Sequence, residues 1–302
     1  MAEKQAATPG QIARWVEEAK SGREAALEEL VRLVQGRVYR LALRMLWHPE
    51  DAKDAAQEIL LRVVTRLGSY RGEAAFATWV YRIAANHLLD VRPGPLERMK
   101  LSFDAFAADL DAGLADAPLD QARGGVEAGV LLEEVKLGCT LGMLACLDRP
   151  HRLAYILGEI LGLADREGAQ VLDISEAAFR KRLSRARQAI LEFTRAKCGL
   201  VSQAARCRCG KRVERAIELG RVDPQKLLFA QGAGGTRFAE VEAEVARMES
   251  ARRAAALYRA QPDWERDFVP RLRELLAVRE GAPVTLRAAA PSKNHGTPTE
   301  EP

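Results

Sequence analysis

Between Gly68 and Arg92 the chain gathers Tyr70, Arg71, Thr78, Trp79, Tyr81, Arg82, Asn86 and His87. Aromatic, amide and basic side chains on one short stretch suit unpaired nucleic-acid bases. Rings stack on base faces, arginine holds phosphate, and an amide reads a base edge. The plainer reading is an amphipathic helix whose aromatics are core. A second concentration comes at Arg180, Lys181, Arg182, Arg185 and Arg187, with Ser175 and Ser184 beside them. Such a basic face is either solvated or laid against duplex DNA. A third is Cys198, Cys207 and Cys209. Three clustered thiols can bind zinc, yet no histidine or fourth cysteine lies nearby to complete a tetrahedral set. Cys139 or Cys146 completes one only if folding brings it close. A redox pair, a disulfide and purely structural cysteines are the other readings.

The elements that must position these groups are helical. Phe76, Trp79, Val80, Ile83 and Leu88 repeat at three- and four-residue spacing, which makes one buried stripe and leaves Thr78, Tyr81, Arg82, Asn86 and His87 on the other faces. A preceding helix opens with Glu50 and Asp51, acidic residues that complement its macrodipole. It buries Ala56, Ile59, Leu60, Val63, Val64 and Leu67. Asp51, Asp54, Gln57, Glu58 and Arg62 fall elsewhere on it, either solvated or as a docking face for a protein partner. Before it, Ile12, Trp15, Val16 and Ala19 mark a short helix closed by Ser21 and Gly22, and a longer helix runs until Pro49 blocks it.

Residues 10–92 therefore read as one compact helical domain. Residues 93–125 read as an acidic linker, with Asp104, Asp109, Asp111, Asp116 and Asp120 and no Lys or Arg between Leu101 and Ala122. The linker is either solvated or an imitation of phosphates in a basic channel. Residues 126–197 form a second unit. There Asp165 caps a short helix, Asp173 and Ile174 turn the chain, and Ser175 caps a helix that turns Phe179, Leu183, Ala186 and Ile190 inward. That order is a helix-turn-helix. A cysteine-containing helical extension spans 198–280, with one helix at Val241, Val245 and Met248 and another at Trp264, Phe268, Leu272 and Leu275. Residues 281–302 read as a disordered tail.

Composition points the same way. The 302 residues are 48% hydrophobic but only 6% aromatic, and no alternating β-branched run appears, so the expected fold class is all-α. The net charge of +4 decides little. Neither a secretory signal nor a membrane-spanning run is visible, so a cytoplasmic protein without a membrane partner is expected. Five cysteines, an odd number, argue against a secreted disulfide scaffold. Four scattered histidines offer no nucleophile–base constellation, so no enzyme is expected.

The segments Asp51 to Arg62 and Tyr70 to Asn86 resemble region 2 of bacterial RNA polymerase sigma factors of the extracytoplasmic-function type, and Ile174 to Ile190 resembles the end of region 4. The resemblance implies that Asp51, Asp54, Gln57, Glu58 and Arg62 dock on the clamp coiled coil of core RNA polymerase, with the flap as a further contact. It implies that Tyr70, Arg71, Thr78, Trp79, Tyr81, Arg82, Asn86 and His87 capture the melted −10 element. Ser175, Arg180, Lys181, Arg182, Ser184, Arg185 and Arg187 match the −35 reader; of these, Arg182 and Arg187 would hold phosphate or pack. Where the family usually carries a Tyr-x-Glu-Ile-Ala-like run this chain has Asp165 to Leu172, so its −35 preference need not follow the family's. Promoter DNA is then a partner and an anti-sigma factor a candidate one. No cofactor is required, and zinc is the candidate ion at Cys198, Cys207 and Cys209. The rival reading is a stand-alone helix-turn-helix regulator, metal- or redox-responsive through those thiols.

Overall fold

The computed structural model describes residues 7–98, 100–114, 121–230 and 267–277. The sequence expectations at Val241, Val245, Met248, Trp264 and the tail from residue 281 lie outside the described residues.

Helix α1 (Pro9–Lys20) starts in a reciprocal cap: Gln11 N donates to Thr8 Oγ1, and Thr8 N donates to Gln11 Oε1 at 2.8 Å. It ends at Ser21, and Gly22 takes a φ of +94° that a side chain would resist. Helix α2 (Glu24–Leu46) buries Leu30, Val34, Val38, Leu41 and Met45. It stops at Trp47, which is held left-handed at φ +66°. Pro49 then takes the first position of α3 (Pro49–Arg66), where its missing N–H costs nothing. Helix α4 (Phe76–Asp90) packs on both α2 and α3.

The acidic segment is more ordered than a linker. It contains a turn of helix, α5 (Pro95–Arg98), and α6 (Phe103–Ala112), capped by Ser102 Oγ, which accepts from Ala105 N at 3.1 Å. Phe106 and Leu110 are buried, and the rings of Phe103 and Phe106 lie 5.2 and 5.5 Å from Phe193. An i, i+3/i+4 apolar pattern inside an acidic stretch is enough to make a helix when a partner ring is available. Helix α7 (Gln121–Ala145) begins within the stretch read as linker.

Helix α8 (Arg149–Tyr155) passes into a π-helical turn at Ile156–Ile160, and Gly162 reverses the chain at φ +69°. Helices α9 (Asp165–Leu172) and α10 (Glu176–Lys197) follow. The cap of α9 is at Ala164, not Asp165: Glu167 reaches back so that Ala164 N donates to its carboxylate at 3.1 Å. A 3₁₀ turn (Cys209–Arg212) leads into α11 (Val213–Glu218), and α12 (Val269–Ala277) lies on α2. The only β-type pairing among the described residues is a single bridge between Cys198 and Cys207. Nor is any helix among them long and apolar enough to cross a membrane.

One apolar core runs from Val16 to Leu272, so both helical units share it. A smaller cluster of Val135, Val213, Ala216 and Val222 fixes α11 on α7. Polar groups clamp the junction. Buried Arg152 donates to the carbonyls of Met45, Leu144 and Leu147 and to Glu97 Oε1 at 2.8 Å, while Arg149 Nη2 meets Glu97 Oε2 at 2.6 Å. These bonds satisfy the carbonyls that helix ends leave open.

Candidate nucleic-acid and polymerase interfaces

Helix α10 is presented by close packing from behind. Phe179 is fully buried, and a Cβ at Gly168 would stand 2.2 Å from its ring, so only glycine lets α9 approach α10 this closely. Asp173 turns the chain at φ +55°, and Ser175 Oγ accepts from Ala178 N at 3.2 Å. The opposite face carries Arg180, Lys181, Ser184, Arg185 and Arg187, all exposed, with Arg182 half-buried. Arg187 is already engaged by Glu159, with Nε donating at 2.8 Å. Arg180 reaches Glu176 at 3.8 Å one turn back on the same helix, and with Lys181, Ser184 and Arg185 it makes up the outward set.

Arg71 in the loop before α4 and Arg82 and Asn86 on α4 are exposed; Tyr70 in that loop and Trp79 and His87 on α4 are half-buried. Tyr70 belongs to an aromatic triangle, its ring 5.5 Å from Phe76 and 5.3 Å from Trp79. Its hydroxyl donates to Ala74 O at 2.7 Å and Lys20 Nζ donates to its carbonyl at 2.9 Å. Thr78 and Tyr81 differ from the outward position read for them, since both are 6% exposed. The physical reason is that α4 is packed on several sides, by α2, α3 and α9, and Tyr81 lies near the arginines of α2. Burial pushes the Tyr81 phenol up, against the opposing charges of Arg37, Arg40 and Arg44. Arg82 points into the same seam and meets Asp173 at 3.0 Å.

Asp51, Asp54 and Glu58 are exposed and Gln57 and Arg62 half-buried along α3. Arg62 Nε donates to Glu58 at 3.0 Å. Asp51, Asp54 and Glu58 border an open cleft whose other wall includes His87 and Arg92. Burial and then the Arg62 charge hold the His87 imidazole below its ordinary value, so it is neutral at pH 7.

The five cysteines are free thiols. Burial pushes Cys139 well up and Cys198 up, Cys207 to about 11 and Cys146 to about 12, which favours the protonated thiols near pH 7. Among the described residues no three His, Cys, Asp or Glu side chains already stand in metal-binding geometry.

Several contacts had no signal in the sequence. Asp109 is answered by this chain's own extension: Arg212 Nη2 lies 3.0 Å and Arg221 Nη1 2.6 Å from its carboxylate. Lys197 pairs with Asp111 at 2.5 Å. Buried Glu134 accepts three backbone N–H groups, from Leu228, Phe229 and Ala230, at 2.7–2.8 Å. Phe229 in turn lies 6.2 Å from the ring of Trp47.

Residues 30–92 match the Sigma-70 region 2 family. The chain is 30% identical over 187 residues to the RNA polymerase sigma-H factor of Pseudomonas aeruginosa, covering 61% of this chain and 93% of that one. It is also 30% identical over 177 residues to the ECF RNA polymerase sigma-E factor of Escherichia coli K12, covering 58% and 90%. A solved structure of CnrH in complex with the cytosolic domain of CnrY is similar at 24% identity and a TM-score of 0.41, covering 59% of this chain and 94% of that one. With a region 2 match over α2 to α4 and near-full coverage of such relatives, the chain belongs to the ECF family of RNA polymerase sigma factors, alternative sigma factors that direct transcription initiation.

Proposed function

We propose that this sigma factor docks on core RNA polymerase through Asp51, Asp54, Gln57, Glu58 and Arg62, captures the −10 strand with the loop at Tyr70 and Arg71 and with α4, and lays α10 in the duplex at −35. The observation that carries the reading is the outward face of α10, where Arg180, Lys181, Ser184 and Arg185 are exposed on a helix locked by Phe179 against Gly168. Basic groups supply salt-dependent affinity, and the side chains that reach base edges supply choice. The chain acts by binding and positioning and catalyses no step itself. Extruding a −10 base costs a few kcal/mol, which stacking and edge hydrogen bonds offset.

The closed arrangement must open to do this. Elements at −10 and −35 are separated by roughly 25 base pairs, about 85 Å of duplex at about 3.4 Å per base pair. Arg82 and Asp173 stand 3.0 Å apart. Parting α4 from α9 would let the two units span the promoter. A protein that sealed this seam would act as an anti-sigma factor. Run-off transcription with core polymerase on genomic fragments, with and without the chain, tests the reading. Discrete chain-dependent starts support it, and failure to bind core overturns it.

A further inference from the structure

We propose that Cys139, Cys198, Cys207 and Cys209 form a four-thiolate site for a thiophilic divalent cation, zinc, which staples the extension to α7. The four come from three segments. Gly199 N donates to Cys207 O at 3.0 Å, so Cys198 at the end of α10 runs beside Cys207. Cys209 opens the 3₁₀ turn that packs on α7, the helix carrying Cys139. Cys209, Cys198 and Cys207 all lie near enough to Cys139 to influence its thiol. Cys146, just past the end of α7, bonds Gly142 O through its sulfur at 3.4 Å. The segments of Cys198, Cys207 and Cys209 thus meet α7 on the side of Cys139, while Cys146 makes its own bond.

The surroundings suit a tetrathiolate. Val201 N and Ser202 N both donate to Cys198 O, at 3.1 and 2.9 Å, which fixes the turn that carries the Cys198 thiol. A Cβ at Gly199 would stand 2.3 Å from Cys207 O, so glycine is what allows the two cysteine segments to close. Zinc binding displaces one proton from each of the four thiols to solvent and leaves a centre of net charge −2. Arg208 and Arg212 lie near enough to Cys207 to offset that charge. Arg212 is itself buried and fixed by Asp109 and by Gly113 O at 2.7 Å, the kind of outer-shell support that metal sites use. Soft sulfur donors select zinc over magnesium or calcium. The thiols are not at coordination spacing in this structure, so zinc binding has to draw them together.

The test uses the full chain, stripped with a chelator under reducing conditions and given Zn²⁺ alone. One tightly held zinc per chain is expected in the wild type and in Cys146→Ser. A loss of affinity beyond about 100-fold is expected in Cys139→Ser, exceeding what outer-shell changes cost. Because that variant could misfold, alkylation of the wild type followed by mass spectrometry gives a second readout: Zn²⁺ protects Cys139, Cys198, Cys207 and Cys209 but leaves Cys146 unchanged. No bound zinc in the wild type, or protection confined to Cys198, Cys207 and Cys209, overturns the proposal.

Discussion

Arg82 Nη2 and Asp173 Oδ1 meet at 3.0 Å, tying the helix that would read the −10 strand to the turn of the helix-turn-helix. Both side chains are largely exposed, at 49% and 77%, so the pair contributes at most about 1 kcal/mol and acts as a latch on a seam held by apolar packing. Asp173→Asn removes the charge and keeps a residue type that tolerates the left-handed turn. The closed-to-open ratio should fall by no more than about fivefold, and added salt should erase the difference from wild type. Distances between spin labels on α3 and α10 would report it. Complete opening from this one change would mean that the apolar seam holds nothing.

Arg152 should matter far more, although it touches no nucleic acid in this account. It is 3% exposed and bonds Met45 O, Leu144 O, Leu147 O and Glu97. Arg152→Met leaves those acceptors and part of the Glu97 charge unanswered, and should cost about 3–5 kcal/mol in urea unfolding at pH 7.

Acid should attack the same junction. Burial would raise the Glu97 carboxyl, but the hydrogen bond from Arg149 and the charges of Arg152 and Arg149 outweigh it and hold the group below its ordinary 4.5. A lowered folded value means that the stabilisation is complete above the unfolded value and is lost as pH falls through the folded one. Unfolding midpoints measured downward from pH 5 should therefore drop below about pH 4.3, and Glu97→Gln should flatten part of that fall.

Much of the fold was legible because its signals are local. Ser21 and Gly22, Pro49, and the Asp173–Ser175 turn each end or start a helix through their own backbone preferences, and the structure keeps all three. What was illegible depends on partners distant in the chain. Thr78 and Tyr81 face outward on an isolated α4, and packing of α4 against α2, α3 and α9 together buries them. The acidic stretch looked solvated because Phe193, Arg212 and Arg221, which answer Phe106 and Asp109, lie far along the sequence. Arg152 had no readable role, since its acceptor at Met45 is 107 residues away.

Glu134 makes the docking of the extension testable. Its carboxylate accepts three N–H groups at 2.7–2.8 Å, and charged hydrogen bonds contribute about 1.5–3 kcal/mol each without simple additivity. Glu134→Ala should free residues 227–230 to limited proteolysis while region 2 keeps its affinity for core polymerase.

Gly168→Ala should damage −35 recognition without touching DNA. The new methyl would meet the Phe179 ring at 2.2 Å, and such overpacking costs about 1–3 kcal/mol. Loss of −35 dependence should accompany a lowered melting temperature, with core binding intact.

The most direct measurement is run-off transcription by core polymerase and this sigma factor on one recovered promoter whose −35 and −10 elements are scrambled separately. The account predicts that wild type needs both elements. Arg180→Ala combined with Lys181→Ala should lose response to the −35 element alone, and Asn86→Ala should lose response to the −10 element alone. Unchanged −35 dependence in the double variant would contradict the role given to α10, and starts that ignore both elements would contradict the account as a whole.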